Sequence, residues 1–188
     1  MTKIAIIWDW QLGQLTALEV EKEWFETIIY WDWWENSPAW QVSRILDADW
    51  YSANSTNIDL LVEENPDVIT IEWENVPVDL LEKLKKEWLV TRPNSKALHI
   101  IQNRLREKNA INDSWAKTAE YLEVNTLDDL THAYSELWKW IVKTTTEGYD
   151  GKWQIKIYSE SDMETAIEEM KWKQLIYEQI VNFKTEIS

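Results

Sequence analysis

The chain has no cysteine, which excludes disulfides and thiolate metal sites. It has two histidines, His99 and His132. Both fall in predicted helices with no second ligand at metal spacing, so they read as packing or surface residues. No apolar run approaches ~18 residues, so nothing in the sequence spans a membrane. The opening "MTKIAIIW" passes straight into a strand pattern without a signal-peptide layout, and the expected compartment is the cytoplasm. Positive charge is also short: 19 Lys and Arg face 34 Asp and Glu, a net charge of −15. Such a surface repels phosphate backbones and argues against nucleic acid as a partner.

The most telling shortage is glycine. There are 3 glycines beside 15 tryptophans. Average glycine usage of about 7% would supply roughly 13 residues here, close to the two counts taken together. Glycine has the look of having been written as tryptophan.

What is present is a regular alternation. "KIAII" (3–7) reads as a buried parallel strand, Leu12, Leu15 and Leu18 recur at helical spacing, and "ETIIY" (26–30) reads as a second strand. "NIDLLVEEN" reads as a helix, "DVITI" (67–71) as a strand and "PVDLLEKLKKE" as a helix with Pro77 near its first turn. This predicts α/β architecture, a Rossmann-like parallel sheet with helices on both faces. "TRPNSKAL" (91–98) reads as a boundary, with Asn94 or Ser95 capping one helix over "KALHIIQNRLREKNAI". The expected domains are therefore 1–93 and 94–188. The second half reads as a smaller α+β unit: strands over "AEYLEV", "WIVKTTT", "QIKIY" and "QLIYEQIV", helices over "TLDDLTHAYSEL" and "SDMETAIEEM", and the loop "EGYDGK".

Tryptophan positions punctuate this pattern. Trp24, Trp88, Trp115 and Trp138 follow predicted helices, where a left-handed residue is wanted, and Trp153 stands in a loop of turn residues. Left-handed backbone costs a residue with a side chain about 1–2 kcal/mol and costs glycine nothing. The pattern is that of a gene from a lineage reading UGA as glycine, translated with a table reading UGA as tryptophan. With glycine at 8 and 10, "WDWQLG" becomes G-D-G-Q-L-G, a G-x-G-x-x-G turn between a strand and a helix, with Asp32 about 20 residues beyond Gly13 in the position of a ribose-binding acid. Taken alone this turn suggests a dinucleotide-binding domain.

The remaining segments point elsewhere. "QLGQ", "NSPAWQV", "DVITIEWENVP", "RPNSKAL", "NRLREK", "IVKTTTEGYDGKWQ" and "YEQIVNFKTEIS" come in the order of one family over the whole chain. The sequence resembles the N5-carboxyaminoimidazole ribonucleotide synthetases, ATP-grasp enzymes of purine biosynthesis. "GYDGKWQ", read as G-Y-D-G-K-G-Q, is the most specific element. The family typically has glycine at the positions of Trp8, Trp10, Trp24, Trp88, Trp115, Trp138 and Trp153, and an aromatic residue at Trp73.

The resemblance implies a Rossmann-like pre-ATP-grasp domain followed by the first, α+β part of an incomplete ATP-grasp domain. It implies ATP-dependent carboxylation of 5-aminoimidazole ribonucleotide with bicarbonate, through carboxyphosphate. It also implies Mg²⁺, with metal ligands in a further C-terminal half and none in this chain, so that the segment alone would be inactive. The full-length protein would be a homodimer with small-molecule substrates and no membrane or nucleic-acid partner. For ATP the resemblance assigns Arg104, Lys143, the loop Gly148, Tyr149, Asp150, Gly151, Lys152, Trp153 and Gln154, the hinge Glu178, Gln179, Ile180 and Val181, and Glu186 for the ribose. Lys143 is expected to be free to reach phosphates. Asp150 and Lys152 are the expected catalytic residues. Gln11, Leu12, Gly13, Glu72, Glu74, Asn75 and Tyr149 are expected at the substrate. Two departures stand out: Asn103 where the family usually has Asp, and Glu147 where it has another glycine.

Three other readings compete. Another ATP-grasp carboxylase or ligase, biotin-carboxylase-like, would share the fold; "ENVP" and "GYDGK" argue against it. An NAD-binding oxidoreductase would explain the glycine turn and Asp32 but not the second domain. A tryptophan-rich binding protein would cluster its tryptophans on one exposed face rather than at helix ends.

Overall fold

The computed structural model describes residues 1–8, 10–31, 37–48, 58–137, 140–146, 153–170, 173–181 and 185. The chain divides into two compact units, Met1–His99 and Ile100–Ser188.

In the first unit, strands β1 (Lys3–Ile7), β2 (Glu26–Trp31), β3 (Arg44–Asp47), β4 (Val68–Ile71) and β5 (Thr91–Arg92) form a parallel sheet in the order β3-β2-β1-β4-β5. β1 is central. Its Ala5, Ile6 and Ile7 are fully buried, as are Ile28, Ile29 and Tyr30 beside them, which is why the apolar runs show no alternation. Helices α1 (Gln11–Lys22), α2 (Asp59–Glu64) and α3 (Val78–Lys86) connect the strands. α3 buries Leu80, Leu81 and Leu84 along one side, the stripe that a core-facing helix needs. Sequence reading missed β3, four residues long, and the two-residue β5.

The strand order reverses direction at β1. The chain moves from β1 out to β3, then returns to the other side of β1 as β4. The carboxyl ends of β1 and β4 therefore flank a topological switch point, the usual ligand crevice of such sheets.

An ion cluster locks the opposite end of these strands. Lys3 Nζ on β1 meets Glu64 Oε2 at 2.9 Å and donates to the Glu64 carbonyl at 2.8 Å. Arg44 on β3 meets Glu64 Oε1 at 2.6 Å. The Arg44 guanidinium, then the Lys3 ammonium, hold the Glu64 carboxyl down at about 2.

In the second unit, β6 (Tyr121–Val124), β7 (Trp140–Thr144), β8 (Gln154–Lys156) and β9 (Leu175–Gln179) form an antiparallel sheet in the order β6-β9-β7-β8. Helices α6 (Leu127–Leu137) and α7 (Glu160–Glu169) pack on each other and bury Leu130, Ala133, Met163 and Ala166 in a core with Val142 and Tyr177. Trp140 stacks on Tyr177 with ring centroids 5.4 Å apart and an interplanar angle of 16°. Burial pushes the Tyr177 phenol up to about 12.

The single helix expected over 96–111 is two: α4 (Ser95–Ile101) and α5 (Arg104–Asn112). The break lies at Asn103, whose side-chain oxygen accepts from the amides of Leu105 and Arg106, both at 3.0 Å. An Asn at an N-cap competes with helix continuation in this way. Asn94 caps α4 by accepting from Ala97 N at 2.9 Å, as the sequence indicated. The last strand ends at Gln179 rather than continuing through Val181.

Candidate functional site

Two groups of site residues come together, one in each unit. In the second unit the focus is the end of β7. Lys143 on β7 lies one strand from Glu178 on β9, where Ile141 pairs with Glu178. Lys143 Nζ is 3.4 Å from Glu178 Oε2. The other carboxylate oxygen, Oε1, is 3.4 Å from Lys108 Nζ on α5. All three side chains are largely buried, at 12–24% exposure, where salt screens charge less than at an open surface. Lys143 is therefore held by a carboxylate, not free as the sequence suggested.

Arg104, the first residue of α5, ties that helix to the same strand end. Its amide donates to the Thr145 carbonyl at 2.7 Å and its guanidinium to the Thr144 carbonyl at 2.9 Å. Gln174 reinforces the junction: its carbonyl accepts from Thr145 N at 2.9 Å and its side chain accepts from Thr145 Oγ1 at 3.2 Å. So Arg104, Lys143 and Glu178, 74 positions apart end to end in the sequence, converge. Lys108 was missed. Its signal was its spacing from Arg104, four residues along one helix face. Lys143, Lys108 and Glu178 together leave a net positive charge, suited to a polyphosphate.

Of the other residues expected at ATP, Gln154 begins β8 and Gln179 ends β9, both exposed. Ile180 and Val181 follow the strand, with Val181 exposed. Trp153 has φ 58°, and its carbonyl accepts from Thr144 N at 3.2 Å. Gly148, Tyr149, Asp150, Gly151, Lys152 and Glu186 lie outside the described residues, as do Asp32, Glu147 and Trp138.

In the first unit the focus is the switch point. The Glu72 carboxylate, just past β4, accepts from the Gly13 amide in the first turn of α1 at 2.7 Å. A carboxylate there satisfies an otherwise open N–H and meets the positive end of the helix. Gly13 is required by close approach: a Cβ would lie 2.8 Å from both Glu72 Oε2 and the Trp8 carbonyl oxygen. Gln11 and Leu12 are exposed on the same turn. Asn75 donates to the Glu74 carboxylate at 3.0 Å. The expected substrate residues of α1 and of the segment after β4 thus meet through one Gly13–Glu72 bond.

The indole of Trp8 fills this switch point. Its ring centroid is 4.4 Å from that of Trp31 and 4.6 Å from that of Trp73. Trp8 has φ 107°, as expected of a glycine position. Trp24 and Trp88 each have φ 64°. Trp115 does not follow the expectation of a left-handed residue at a helix end, and Trp10, expected only in the glycine-type turn, is not left-handed either. Trp10 is an extended N-cap with φ −83°, half-exposed, and Trp115 has no left-handed backbone. The chain after α5 continues as a turn, with Ser114 N donating to the Ile111 carbonyl, so no reversal falls on Trp115.

Among the described residues no group of three or more His, Asp or Glu is arranged to hold a metal ion, and no helix is long and apolar enough to cross a membrane.

Residues 1–102 match the ribonucleotide synthetase preATP-grasp domain and residues 109–188 the ATP-grasp domain. The N5-carboxyaminoimidazole ribonucleotide synthase of Bacillus subtilis is 34% identical over 98% of this chain, and that of Staphylococcus epidermidis 29%. A crystal structure of an ADP complex of N5-carboxyaminoimidazole ribonucleotide synthetase superposes with a TM-score of 0.82 at 33% identity over 97% of this chain. The Staphylococcus aureus enzyme complexed with ADP gives 0.85 at 26%. The chain spans about half the length of these relatives, 48% in each case. The match to the preATP-grasp model over more than half of the residues, continued by the ATP-grasp match, identifies the chain as a member of the ATP-grasp ligase family, corresponding to the N-terminal half of the N5-carboxyaminoimidazole ribonucleotide synthetases.

Proposed function

We propose that the protein of which this chain forms a part uses ATP and bicarbonate to carboxylate 5-aminoimidazole ribonucleotide on its amine, forming N5-carboxyaminoimidazole ribonucleotide, ADP and phosphate. The observation that carries the reading is the cationic junction at the end of β7, where Lys143 and Lys108 share the Glu178 carboxylate and Arg104 is fixed to the same strand end. Lys143 and Glu178 lie in the segment that matches the ATP-grasp domain, and Arg104 and Lys108 come just before it; structural relatives of the chain are complexes with ADP.

The chemistry follows from the charges. Bicarbonate oxygen attacks the γ-phosphorus, the bond to the β-phosphate oxygen breaks, and ADP leaves. The amine then takes the activated carboxyl and phosphate departs. Such transfer is accelerated by neutralising phosphate charge and aligning the reactants. Lys143 and Arg104 supply positive charge toward the phosphates. Glu178 holds Lys143 in register until the phosphates compete for it. The loop 148–154, with Tyr149, Asp150 and Lys152, closes over the nucleotide, Glu178 to Val181 read the adenine edge through their backbone, and Glu186 takes the ribose. Mg²⁺ supplies further charge neutralisation when bound. Gln11, Leu12, Gly13, Glu72, Glu74 and Asn75 contribute to the ribonucleotide site at the switch point, where the Gly13–Glu72 bond fixes the turn. In this reading the protein acts in the cytoplasm as a homodimer.

The test is an assay of the protein as its gene encodes it. ADP release that requires both bicarbonate and 5-aminoimidazole ribonucleotide supports the proposal. ADP release driven by another carboxyl acceptor instead favours a different ATP-grasp carboxylase. Protection against heat by NAD but not by ATP favours the oxidoreductase reading.

A further inference from the structure

We propose that residues 8, 24, 88 and 153 are glycine in the native protein, and that the tryptophans written there arise from UGA codons that the organism decodes as glycine. The inference is independent of the proposed function.

Backbone geometry carries it. Five described non-glycine residues have left-handed φ: Trp8 at 107°, Trp24 and Trp88 at 64°, Asn65 at 44° and Trp153 at 58°. Asn is the residue with a side chain that tolerates this region best. The other four are all tryptophan. With 15 tryptophans among 188 residues, five sites filled without regard to residue type would hold fewer than one. Tryptophan is among the side chains least suited to such backbone.

The helix ends show why the fold demands it. At the end of α3, Trp88 N donates to the Lys85 carbonyl at 3.1 Å and Leu89 N to the Leu84 carbonyl at 3.0 Å. This is the paired closure that puts a left-handed residue, usually glycine, at position 88. Leu84 and Leu89 are both buried, the apolar contact that accompanies the motif. At the end of α1, Trp24 N donates to the Glu21 carbonyl at 3.0 Å, the same kind of closure. Nothing packs to select an indole at either site: Trp24 is 83% and Trp88 92% exposed.

Other tryptophans behave differently, which separates the two classes. Trp31 in β2 and Trp140 in β7 are buried, and neither has left-handed φ. They are ordinary core aromatics. Composition alone would convert all fifteen; among the ten tryptophans that fall in described residues, the backbone singles out four.

Position 8 bears on ligand access. It sits at the carboxyl end of β1, facing the switch point, with its indole lodged between Trp31 and Trp73. Glycine there clears the crevice beside the Gly13–Glu72 bond and relieves the φ of 107°.

Two measurements test the proposal. Tandem mass spectrometry of the protein purified from its source organism reads the residues directly. Glycine at 8, 24, 88 and 153 is expected, and tryptophan at these positions overturns the inference. In parallel, the chain as written is compared with the Trp24→Gly, Trp88→Gly double variant by urea denaturation. A higher midpoint with an unchanged slope is expected for the variant. An equal or lower midpoint removes the strain argument, whatever the activity of either protein.

Discussion

Glu178 holds Lys143 at 3.4 Å across the β7–β9 pair, and through its second oxygen holds Lys108 at the same distance. A carboxylate shared by two ammonium groups can release one of them without being left alone in a partly buried site. On the proposed function, Lys108 still neutralises Glu178 when the phosphates of ATP draw Lys143 away.

This relationship sets different expectations for the two lysines. If Lys143 contacts the phosphates as proposed, Lys143→Met is expected to weaken ATP binding by a factor of about 10–100, roughly 1.4–2.8 kcal/mol. Among the described residues, Lys108→Met leaves Glu178 with Lys143 as its ion-pair partner, a pair that ATP must then break on the proposed function. A smaller loss is expected, restored in Lys108→Arg. Titration calorimetry of the protein as its gene encodes it measures each. Equal affinity in Lys108→Met and the unaltered protein would remove Lys108 from the account.

Glu64 makes stability depend on acid. Its carboxyl is held at about 2 in the folded chain against an ordinary 4.5, mainly by Arg44 and then Lys3. A lowered folded value means that this contribution is present in full above about 4.5 and fades as pH falls toward about 2. The Glu64→Gln variant is expected to be less stable by about 1 kcal/mol at neutral pH and to show a shallower loss between those values. Urea midpoints across the acid range check it; parallel curves contradict it.

Gly13→Ala tests the switch-point turn. The new Cβ would meet Glu72 Oε2 and the Trp8 carbonyl oxygen, each at 2.8 Å. The carboxylate can swing aside, but the backbone oxygen must shift. A loss of about 1–3 kcal/mol is expected, read as a lower urea midpoint. A Gly13→Ala chain as stable as the original would show that the turn is looser than this geometry.

Tyr177→Phe tests the second core. The buried Trp140 amide donates to the Tyr177 hydroxyl at 3.2 Å, while the stacked rings stay in place in the variant. Leaving that donor without its acceptor is expected to cost about 1–3 kcal/mol, measured by thermal or urea unfolding. No change would mean that the amide finds another acceptor.

The sequence revealed its architecture wherever one signal acted locally. β1, β2 and β4 were legible as apolar runs, and α3 as a periodic stripe. β3 was not, because four residues with one buried position carry little pattern. The break between α4 and α5 was hidden because the helical composition continues across Asn103, whose side chain ends one helix by starting the next. Trp24 and Trp88 were legible as left-handed positions because each directly follows a helix that reverses there; Trp115 follows a helix that ends in further turn. The site was legible as a set of residues but not as a set of contacts. The bond from Gly13 to Glu72 spans 59 positions and depends on β4 lying beside β1. Likewise, the capture of Lys143 by Glu178 depends on the β7–β9 register.

The central claim is that nucleotide is bound by the second unit and not by the glycine-type turn of the first. Photolabelling the protein, as its gene encodes it, with 8-azido-ATP and mapping the labelled peptides tests this most directly. Label on peptides around residues 141–154 and 175–181, suppressed by excess ATP, is the predicted result. Label on the peptide spanning residues 4–14, suppressed by NAD, would contradict it.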